Sequence, residues 1–303
     1  MDSILNQEIL YVWSTPFFAL IILIEILVSA FAAIKNYDVK DTATNVYFAI
    51  LNIVLDLWMK FSSFFVLGFF YQLGVFSWQN QNWFYWVVVF VFQDFLYYVH
   101  HYVDHNSRFF WAVHVTHHNS KFFNLTTGFR SPVLQPLYRF LFFIPMALLG
   151  IPPLHIMFAY AVNQIYGVLC HTNFIKSDLG LWGKIFVTPS HHRVHHASNT
   201  KYLDKNFGMV LIIWDKIFGT YQKEEPAENY EKIKYGLTEE IEKRDPINII
   251  FHEWISIAKD FFIHKKNLTL ANRLKYVFFR PGWSHDGSTK TSKELKKELL
   301  DSN

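Results

Sequence analysis

Histidine is concentrated in two short stretches of this 303-residue chain. Eleven of its 15 histidines lie between residues 100 and 118 or between residues 171 and 196. The spacings repeat within these stretches: His101-x3-His105, then His114-x2-His117-His118, then His192-x2-His195-His196. Because residues three and four apart project from the same face of an α-helix, we expect each group to direct its imidazoles toward one point.

The number of converging imidazoles favours a centre with two metal ions. Neutral imidazole binds iron, copper, nickel and zinc, so the ligand type alone does not name the metal. A single zinc ion takes four ligands, whereas eight or nine imidazoles can give two ions four or five nitrogens each. His171 follows an apolar run and is the ninth candidate. The predicted ligands are His101, His105, His114, His117, His118, His171, His192, His195 and His196.

Iron is the metal expected at such a centre if it lies beside lipid, because oxidising an unactivated C–H bond needs a redox metal. The remaining histidines are not assigned as ligands. His100 and His191 adjoin predicted ligands but point about 100° away from them on a helix. The other four are isolated, and we expect them at interfaces or on the surface: His155, His252, His264 and His285.

Asp94 is the carboxylate for which the sequence suggests a catalytic role. It precedes His101 by seven residues, two turns along the same helix face. An ionisable residue in an apolar helix is a functional candidate. Its carboxylate can accept a hydrogen bond from a ligand imidazole and fix the tautomer of that ring. Pairing with an arginine or a tyrosine elsewhere in the chain fits the sequence equally well.

Several site types are disfavoured by residues that the chain lacks. Cys170 is the only cysteine, which excludes an intramolecular disulfide and a self-contained iron–sulfur cluster. No Glu-x-x-His pair occurs, so a carboxylate-bridged di-iron bundle is disfavoured. No Gly-x-Gly-x-x-Gly run indicates a nicotinamide or flavin domain, and electrons must come from an external donor. A net charge of +3 without a separate basic domain gives no reason to expect nucleic acid as a partner.

Long apolar runs indicate an all-α integral membrane protein. The hydrophobic share is 51% and the aromatic share 19%, more than a soluble domain of this size usually carries. A spanning helix needs about 20 mostly apolar residues. Four or five transmembrane helices are therefore expected among the runs Phe17–Ile34, Val46–Phe76, Trp83–Val103, Pro132–Gly150 and Pro153–Cys170. Gly150, Pro152 and Pro153 separate the last two runs, as a helical hairpin requires.

The distribution of basic residues predicts the orientation, since Lys and Arg near helix ends are biased to the cytoplasmic side. Residues 1–34 contain none, whereas 21 of the 28 basic residues follow Cys170. The turns Ser77–Asn82 and Gly150–Pro153 carry no charge. This pattern predicts a multi-pass protein with its N-terminus and both uncharged turns outside. The histidine groups would then lie in the cytoplasm under a helical cap.

We expect one domain, 1–303, in three parts. Residues 1–82 hold the N-terminal transmembrane helices, residues 83–222 the histidine-box catalytic region, and residues 223–303 a cytoplasmic or interfacial segment. In that last segment Asp245-Pro246 is a helix start. The mixture of apolar and charged residues in Ile247–Ile263 fits an interfacial helix.

The chain resembles the fatty acid hydroxylase and sterol desaturase superfamily over about residues 83–222. Asp94–Tyr98 leading to His101 and His105, then His114–His118, then His192–His196 match its three-box pattern. The resemblance implies a membrane di-iron enzyme that uses O2 to hydroxylate or desaturate a lipid.

Further stretches are most similar to the tetrahydrobiopterin-dependent, ether-lipid-cleaving branch of that superfamily. They are Asn124–Thr127, Arg130–Gln135, Thr188–His196, Asp204–Asn206 and Trp214–Thr220. This likeness implies hydroxylation of a lipid C–H bond, with ether cleavage where the carbon bears an ether oxygen. A sterol or fatty acid hydroxylase or desaturase fed by an electron-transfer protein is the alternative enzyme. A histidine-rich metal transporter and a haem-binding membrane protein are the rivals from other classes.

Overall fold

The computed structural model describes residues 2–226, 228–263 and 268–301. In these ranges every extended regular element is helical, and β-pairing is limited to two isolated bridges. The expected all-helical fold is confirmed. His264, predicted to be an isolated surface or interfacial residue, lies outside the described residues.

Twelve α-helices are defined within the described ranges. They are α1 (Asp2–Phe31), α2 (Val39–Gln72), α3 (Trp83–Asn106), α4 (Arg108–His118), α5 (Leu125–Gly128), α6 (Ile144–Leu148), α7 (Pro153–Leu169), α8 (Pro189–His195), α9 (Ile213–Ile217), α10 (Pro246–Ala258), α11 (Leu270–Phe278) and α12 (Ser292–Asp301). Short 3₁₀ turns connect several of them, and a π-helical turn, Lys259–Ile263, continues α10.

Helix α2 is the clearest candidate for a membrane-crossing segment. Its 34 residues follow the cap Asp38, whose side chain accepts a hydrogen bond from the backbone N–H of Asp41. Among the described residues it is the one helix that is long and apolar enough to span a bilayer, judged by length and composition. Large side chains on it face outward, and Phe61 is 86% exposed.

Helices α3 and α7 form the apolar core beneath the histidine groups. Tyr85, Val89 and Leu96 of α3 are buried together with Ile156 and Ala159 of α7. The helix expected over Trp83–Val103 is present and continues to Asn106, which brings two of the predicted ligands onto its last turns. Because the α3 end and the residues after α7 meet at the same end of this core, widely separated histidines converge there.

The run Pro132–Gly150 does not form the near-spanning helix that its apolarity suggests. It contains two 3₁₀ turns, Gln135–Leu137 and Arg139–Phe143, followed by the five-residue α6. Pro136 and Pro145 lie in the first turns of these short pieces. A proline lacks the N–H that a continuous helix requires, so each one starts a new short helix instead of extending the previous one. The predicted hairpin therefore has one long arm, α7.

The turn between the short arm and α7 depends on a glycine. Gly150 has φ +76, and a Cβ atom there would lie 2.0 Å from the carbonyl oxygen of Phe76. Both the left-handed backbone and the close approach require a residue without a side chain.

Three charged residues inside the apolar runs, Glu25, Asp56 and Lys60, have different environments. Glu25 is buried and accepts hydrogen bonds from the Tyr37 hydroxyl, the Leu125 backbone and the Thr172 hydroxyl. Asp56 pairs with Arg139. Lys60 is exposed. Of these three residues Glu25 alone is buried, and it ties α1 to the segments that follow α4 and α7.

Arg108, at the start of α4, anchors the C-terminal part of the chain. Its guanidinium donates to Glu253 at 2.6 Å, Asp260 at 2.7 Å and Ser256 at 2.8 Å. It also donates to the Tyr276 carbonyl. Helix α10 begins where the sequence predicts, with Asp245 as its cap. One buried cation thus joins α10, the π-helical turn and α11 to the helix that carries three predicted ligands.

We expect Arg108→Ala to increase hydrogen exchange of the α10 amides while leaving α3 protected. Losing a buried partner leaves two carboxylates without compensation, at a cost of about 2–4 kcal/mol, between the values for exposed and buried pairs. Lys121→Ala is the matched control, because its pair with Glu240 is exposed to solvent and should contribute little to stability. Equal exchange in both variants would contradict this role of Arg108.

Candidate metal centre

Nine histidines form two adjacent groups at the end of the α3–α7 core. In each group one ring nitrogen from every member lies within 4.8 Å of those of the others. The five-histidine group consists of His101, His105, His114, His118 and His195. The four-histidine group consists of His117, His171, His192 and His196. These are the nine residues predicted from the sequence, and the structure brings all of them together.

Helical spacing explains how the residues divide between the groups. Each pair four residues apart enters one group: His101 with His105, His114 with His118, and His192 with His196. The residue three positions after the first member of a pair turns to the other group, as His117 and His195 do. The sequence prediction that each triplet aims at one point is therefore too simple, since consecutive residues differ by about 100° and face different groups.

Local structure holds the third triplet in place. Thr188 caps α8 by accepting a hydrogen bond from the backbone of His191, while the His191 ring accepts one from the Thr188 backbone. Pro189 occupies the first helical position. His191, which was not predicted to be a ligand, therefore serves as a helix cap and lies outside both groups.

Hydrogen bonds to Nδ1 fix the orientation of several ligand candidates. The carbonyl oxygens of Phe207, Arg130, Gly167 and Lys205 lie 2.8 to 3.0 Å from Nδ1 of His101, His117, His171 and His195, respectively. A carbonyl oxygen can only accept, so Nδ1 carries the proton in each of these rings. Their Nε2 atoms are left with a lone pair that points into the centre.

The inward-facing nitrogens are close to one another. The Nε2 atoms of His117 and His171 are 3.4 Å apart, although both rings are protonated at Nδ1. In the same group, Nε2 of His171 lies 2.9 Å from Nε2 of His192. Facing lone pairs repel each other unless a cation lies between them, and this arrangement is the one that a metal ion requires.

Unsatisfied buried nitrogens in the other group lead to the same conclusion. Nε2 of His105, His118 and His195 is buried and has no hydrogen-bond partner among the described residues. Leaving a buried polar atom unpaired costs about 1–3 kcal/mol. Three such atoms facing one point fit a bound metal ion, which would satisfy all of them at once.

Burial keeps the imidazoles in the form that binds metal. Desolvation lowers the pKa of His117 to about 4. It also places the pKa of His171, His192 and His196 well below the ordinary histidine value. Neutral rings are therefore present at physiological pH, and metal binding needs no proton to be displaced from Nε2. These histidine groups can bind metal.

Aromatic side chains surround the imidazoles and exclude water. Phe207 packs against His101 and His105, with ring centroids 5.7 and 5.1 Å apart. Phe123 packs against His171 at 5.5 Å and also contacts His196. The centre is thus enclosed on two sides by rings that offer no competing ligand.

The Asp94 carboxylate contacts other groups than the ligand imidazole that its helical register suggests. Its carboxylate accepts hydrogen bonds from the backbone N–H of Val210 at 2.9 Å, the N–H of Leu211 at 3.0 Å and the indole N–H of Trp214 at 2.9 Å. These partners replace the ligand imidazole expected from the sequence. Asp94 therefore holds the loop that supplies the Phe207 carbonyl to His101.

Asp104 is a site residue that the sequence reasoning missed. It is fully buried, and its Oδ2 atom lies 3.3 Å from Nδ1 of His114 and 3.4 Å from Nε2 of His100. The available signal was a carboxylate directly before His105 in an apolar helix. His100, which was not predicted to be a ligand, lies beside this carboxylate and outside both groups.

Comparison with known proteins agrees with the geometry. Residues 86–220 match the fatty acid hydroxylase family model. This stretch is similar to fatty acid hydroxylases. The match falls within the predicted range 83–222, and the resemblance inferred from the sequence is confirmed. No solved structure matches the chain significantly.

Curated relatives include lipid monooxygenases and hydroxylases. Human alkylglycerol monooxygenase is 37% identical over 278 residues, which cover 89% of this chain and 59% of that protein. The Xenopus tropicalis alkylglycerol monooxygenase is 32% identical over 277 residues, 89% of this chain and 58% of the relative. Ornithine lipid hydroxylase OlsE of Rhizobium tropici is 32% identical over 132 residues, 43% of this chain and 40% of the relative. The chain thus spans little more than half the length of the alkylglycerol monooxygenases it matches.

We expect His195→Ala and His117→Ala each to lower the metal bound per chain, because each removes one ligand from a different group. The purified variants would be reconstituted with ferrous iron without oxygen, and the metal measured by mass spectrometry. His155→Ala is the matched control, since His155 bonds Tyr85 at the far end of α3 and belongs to neither group. Wild-type metal content in either ligand variant would contradict the assignment.

Proposed function

We propose that the chain is a membrane-bound non-haem di-iron oxygenase that hydroxylates a lipid C–H bond with O2. The observation that carries this proposal is the pair of buried histidine groups within a stretch that is similar to fatty acid hydroxylases. Four and five imidazoles suit two iron ions, and an external donor must supply the electrons because the chain has a single cysteine. When bound, the iron supplies the oxygen chemistry that no side chain here can provide.

The substrate class that we favour is an alkylglycerol ether lipid, with tetrahydrobiopterin as the electron donor. The names of the relatives that match most of the chain support the substrate, and the donor is the one that the sequence resemblance implies. Hydroxylating the carbon next to the ether oxygen would give a hemiacetal, which collapses and breaks the ether bond. One oxygen atom of O2 enters the lipid, and the other leaves as water after two electrons and two protons are taken up.

The protein's own contribution would be orientation and enclosure. The carbonyl oxygens behind Nδ1 keep Nε2 of the ligands directed inward, and Phe123 and Phe207 keep water from the centre. Asp94 would act through the loop that it holds, without touching a ligand. The role of each residue is therefore to bind, orient or shield, which is the usual division of labour between protein and cofactor.

We propose a multi-pass arrangement with four or five membrane segments and the histidine centre on the cytoplasmic side. Helix α2 meets the length and composition needed to cross a bilayer, and the apolar side chains of Leu23 and Leu27 on α1 and of Trp83 on α3 are also exposed. The excess of basic residues after Cys170 supports a cytoplasmic position for that part. Residues 223–303 would form the cap of a single domain.

The assigned electron donor predicts which added reductant supports lipid oxidation. Membranes containing the protein should oxidise an alkylglycerol when tetrahydrobiopterin is added, and should release the aldehyde of the cleaved chain, measured by mass spectrometry. The His195→Ala variant should release none. Activity with a purified reductase and electron-transfer protein, but not with tetrahydrobiopterin, would instead favour a sterol or fatty acid hydroxylase or desaturase.

A metal transporter remains the rival of another class. It requires metal-binding groups along a path through the membrane, whereas the two histidine groups lie side by side at one end of the α3–α7 core. Metal flux into proteoliposomes without any oxidised lipid would favour that rival over the oxygenase.

Topology can be tested by cysteine labelling, since Cys170 is buried and is the only native cysteine. In a Cys170→Ser background, Gln79→Cys in the turn after α2 should react with an impermeant maleimide in intact cells. Lys293→Cys in α12 should react only after the membrane is opened. Both positions are exposed, so burial does not limit either reaction. Labelling of both positions from outside would contradict the proposed orientation.

A further inference from the structure

The two histidine groups differ in the polar atoms that lie behind their ligands. In the four-histidine group, Nδ1 of His117 and of His171 faces a neutral backbone carbonyl. In the five-histidine group, two ligands face carboxylates: Oδ1 of Asp204 lies 3.2 Å from Nδ1 of His105, and Oδ2 of Asp104 lies 3.3 Å from Nδ1 of His114. No carboxylate contact of this kind is found for the four-histidine group within the described part of the chain.

Asp104 is fixed from a second direction by residues that follow α5. The Tyr138 hydroxyl donates to Oδ1 at 2.7 Å, and the Gln135 amide donates to Oδ2 at 3.0 Å. The side chain of Asp104 is completely buried. Nδ1 of His114 is buried and makes no hydrogen bond among the described residues, and the Asp104 carboxylate at 3.3 Å is its ionic contact. The carboxylate is therefore held beside the His114 ring and away from solvent.

Asp204 is fixed by the C-terminal helix. The Ser292 hydroxyl, at the start of α12, donates to Oδ2 of Asp204, and the Lys296 ammonium donates to the adjacent Leu203 carbonyl. Asp204 also has a left-handed backbone, with φ +47, which costs about 1–2 kcal/mol for a residue other than glycine. In this conformation the Asp204 carboxylate contacts both His105 and Ser292, and these contacts offset the backbone strain.

We propose that Asp104 and Asp204 are positioning residues for His114 and His105, and that they make the five-histidine site the tighter of two unequal metal sites. The proposal rests on the dimetal centre of the proposed function. A carboxylate behind a ligand imidazole fixes its tautomer and raises its basicity, and removing such a partner typically lowers metal affinity about 10–100-fold. Five ligands with two carboxylates behind them should outbind four ligands backed by carbonyls.

The test is an anaerobic titration of the metal-free, full-length protein with Co²⁺, followed by its visible ligand-field bands. Wild-type protein should fill in two phases. In Asp104→Asn the tighter phase should weaken about 10–100-fold and its bands should shift, because the amide presents a different partner to His114. The weaker phase should keep both its affinity and its bands.

Asp260→Asn is the matched control. It makes the same substitution in a carboxylate that is about as exposed as that of Asp204, but Asp260 pairs with Arg108 instead of with a ligand. Both phases should survive in it. Asp204→Asn provides a second, partly exposed position, which keeps the test available if Asp104→Asn fails to fold. It should also weaken the tighter phase.

The outcomes separate this inference from the proposed function. Two equal phases in the wild type, or a loss confined to the weaker phase in the Asp104 and Asp204 variants, would overturn the inference and leave a dimetal centre standing. Equal weakening of the tighter phase in Asp260→Asn would mean that the carboxylates have only a general structural role, and would overturn the inference as well. A wild-type protein that binds no metal would overturn the proposed function itself.

Discussion

The main constraint on this structure is that several imidazole lone pairs lie a few ångströms apart in the protein interior, where they repel one another. His117 and His171 each donate a hydrogen bond from Nδ1–H to a backbone carbonyl. They therefore face each other through unprotonated Nε2 atoms. Without a cation between them this geometry is unfavourable, and burial removes the water that could separate them. The rest of the fold must therefore hold the imidazoles in place against this repulsion, which a metal ion bound between the Nε2 atoms would replace with attraction.

The loop between α8 and α9 shows how firmly that constraint is met. Asp215 accepts hydrogen bonds from the backbone N–H groups of Phe207 and Gly208, both at 2.8 Å. The Asn206 amide donates to the carbonyls of His191 and Gln222. With Asp94 holding the far end of this loop, the carbonyl behind His101 has little freedom to move. A ligand cluster that must be formed before metal arrives needs such a loop, because each misplaced carbonyl would release one imidazole.

How far the sequence reveals this centre depends on the range of the interactions concerned. Histidine spacing alone gives eight of the nine candidate ligands, because helical periodicity is a local property, and His171 was added from its place after an apolar run. Spacing also pairs the residues within each triplet, but which pairs share a group depends on where the three helices carrying His101, His114 and His192 lie relative to one another. The same limit separates Asp94 from Asp104. Periodicity places Asp94 on the face of His101, but the loop after α8 fills the space beside it and takes its carboxylate.

The fold shows the same division between local and tertiary information. Helix α3 begins where its apolar run begins, and helices α7 and α10 begin at the prolines that the sequence marks as helix starts. The run Pro132–Gly150 was misjudged because an average over apolar residues ignores Pro136 and Pro145, which break the backbone pattern whatever their neighbours are. Those broken turns have a structural use, since Gln135 and Tyr138 reach Asp104 from them. A continuous helix would present side chains at fixed 100° steps and would not place both donors on one carboxylate in this way.

Substrate choice must be decided outside the ligand groups. The similar proteins include ones named for alkylglycerol and for ornithine lipid, so chains related to this one are named for different lipids. Among the nine histidines, His117 alone is not fully buried, and it belongs to the four-histidine group. Gly128 lies beside this group, where a Cβ atom would be 3.0 Å from Nδ1 of His171. A side chain at position 128 would press on the His171 ring, so the end of α5 must remain small where it packs against the less enclosed side of the centre.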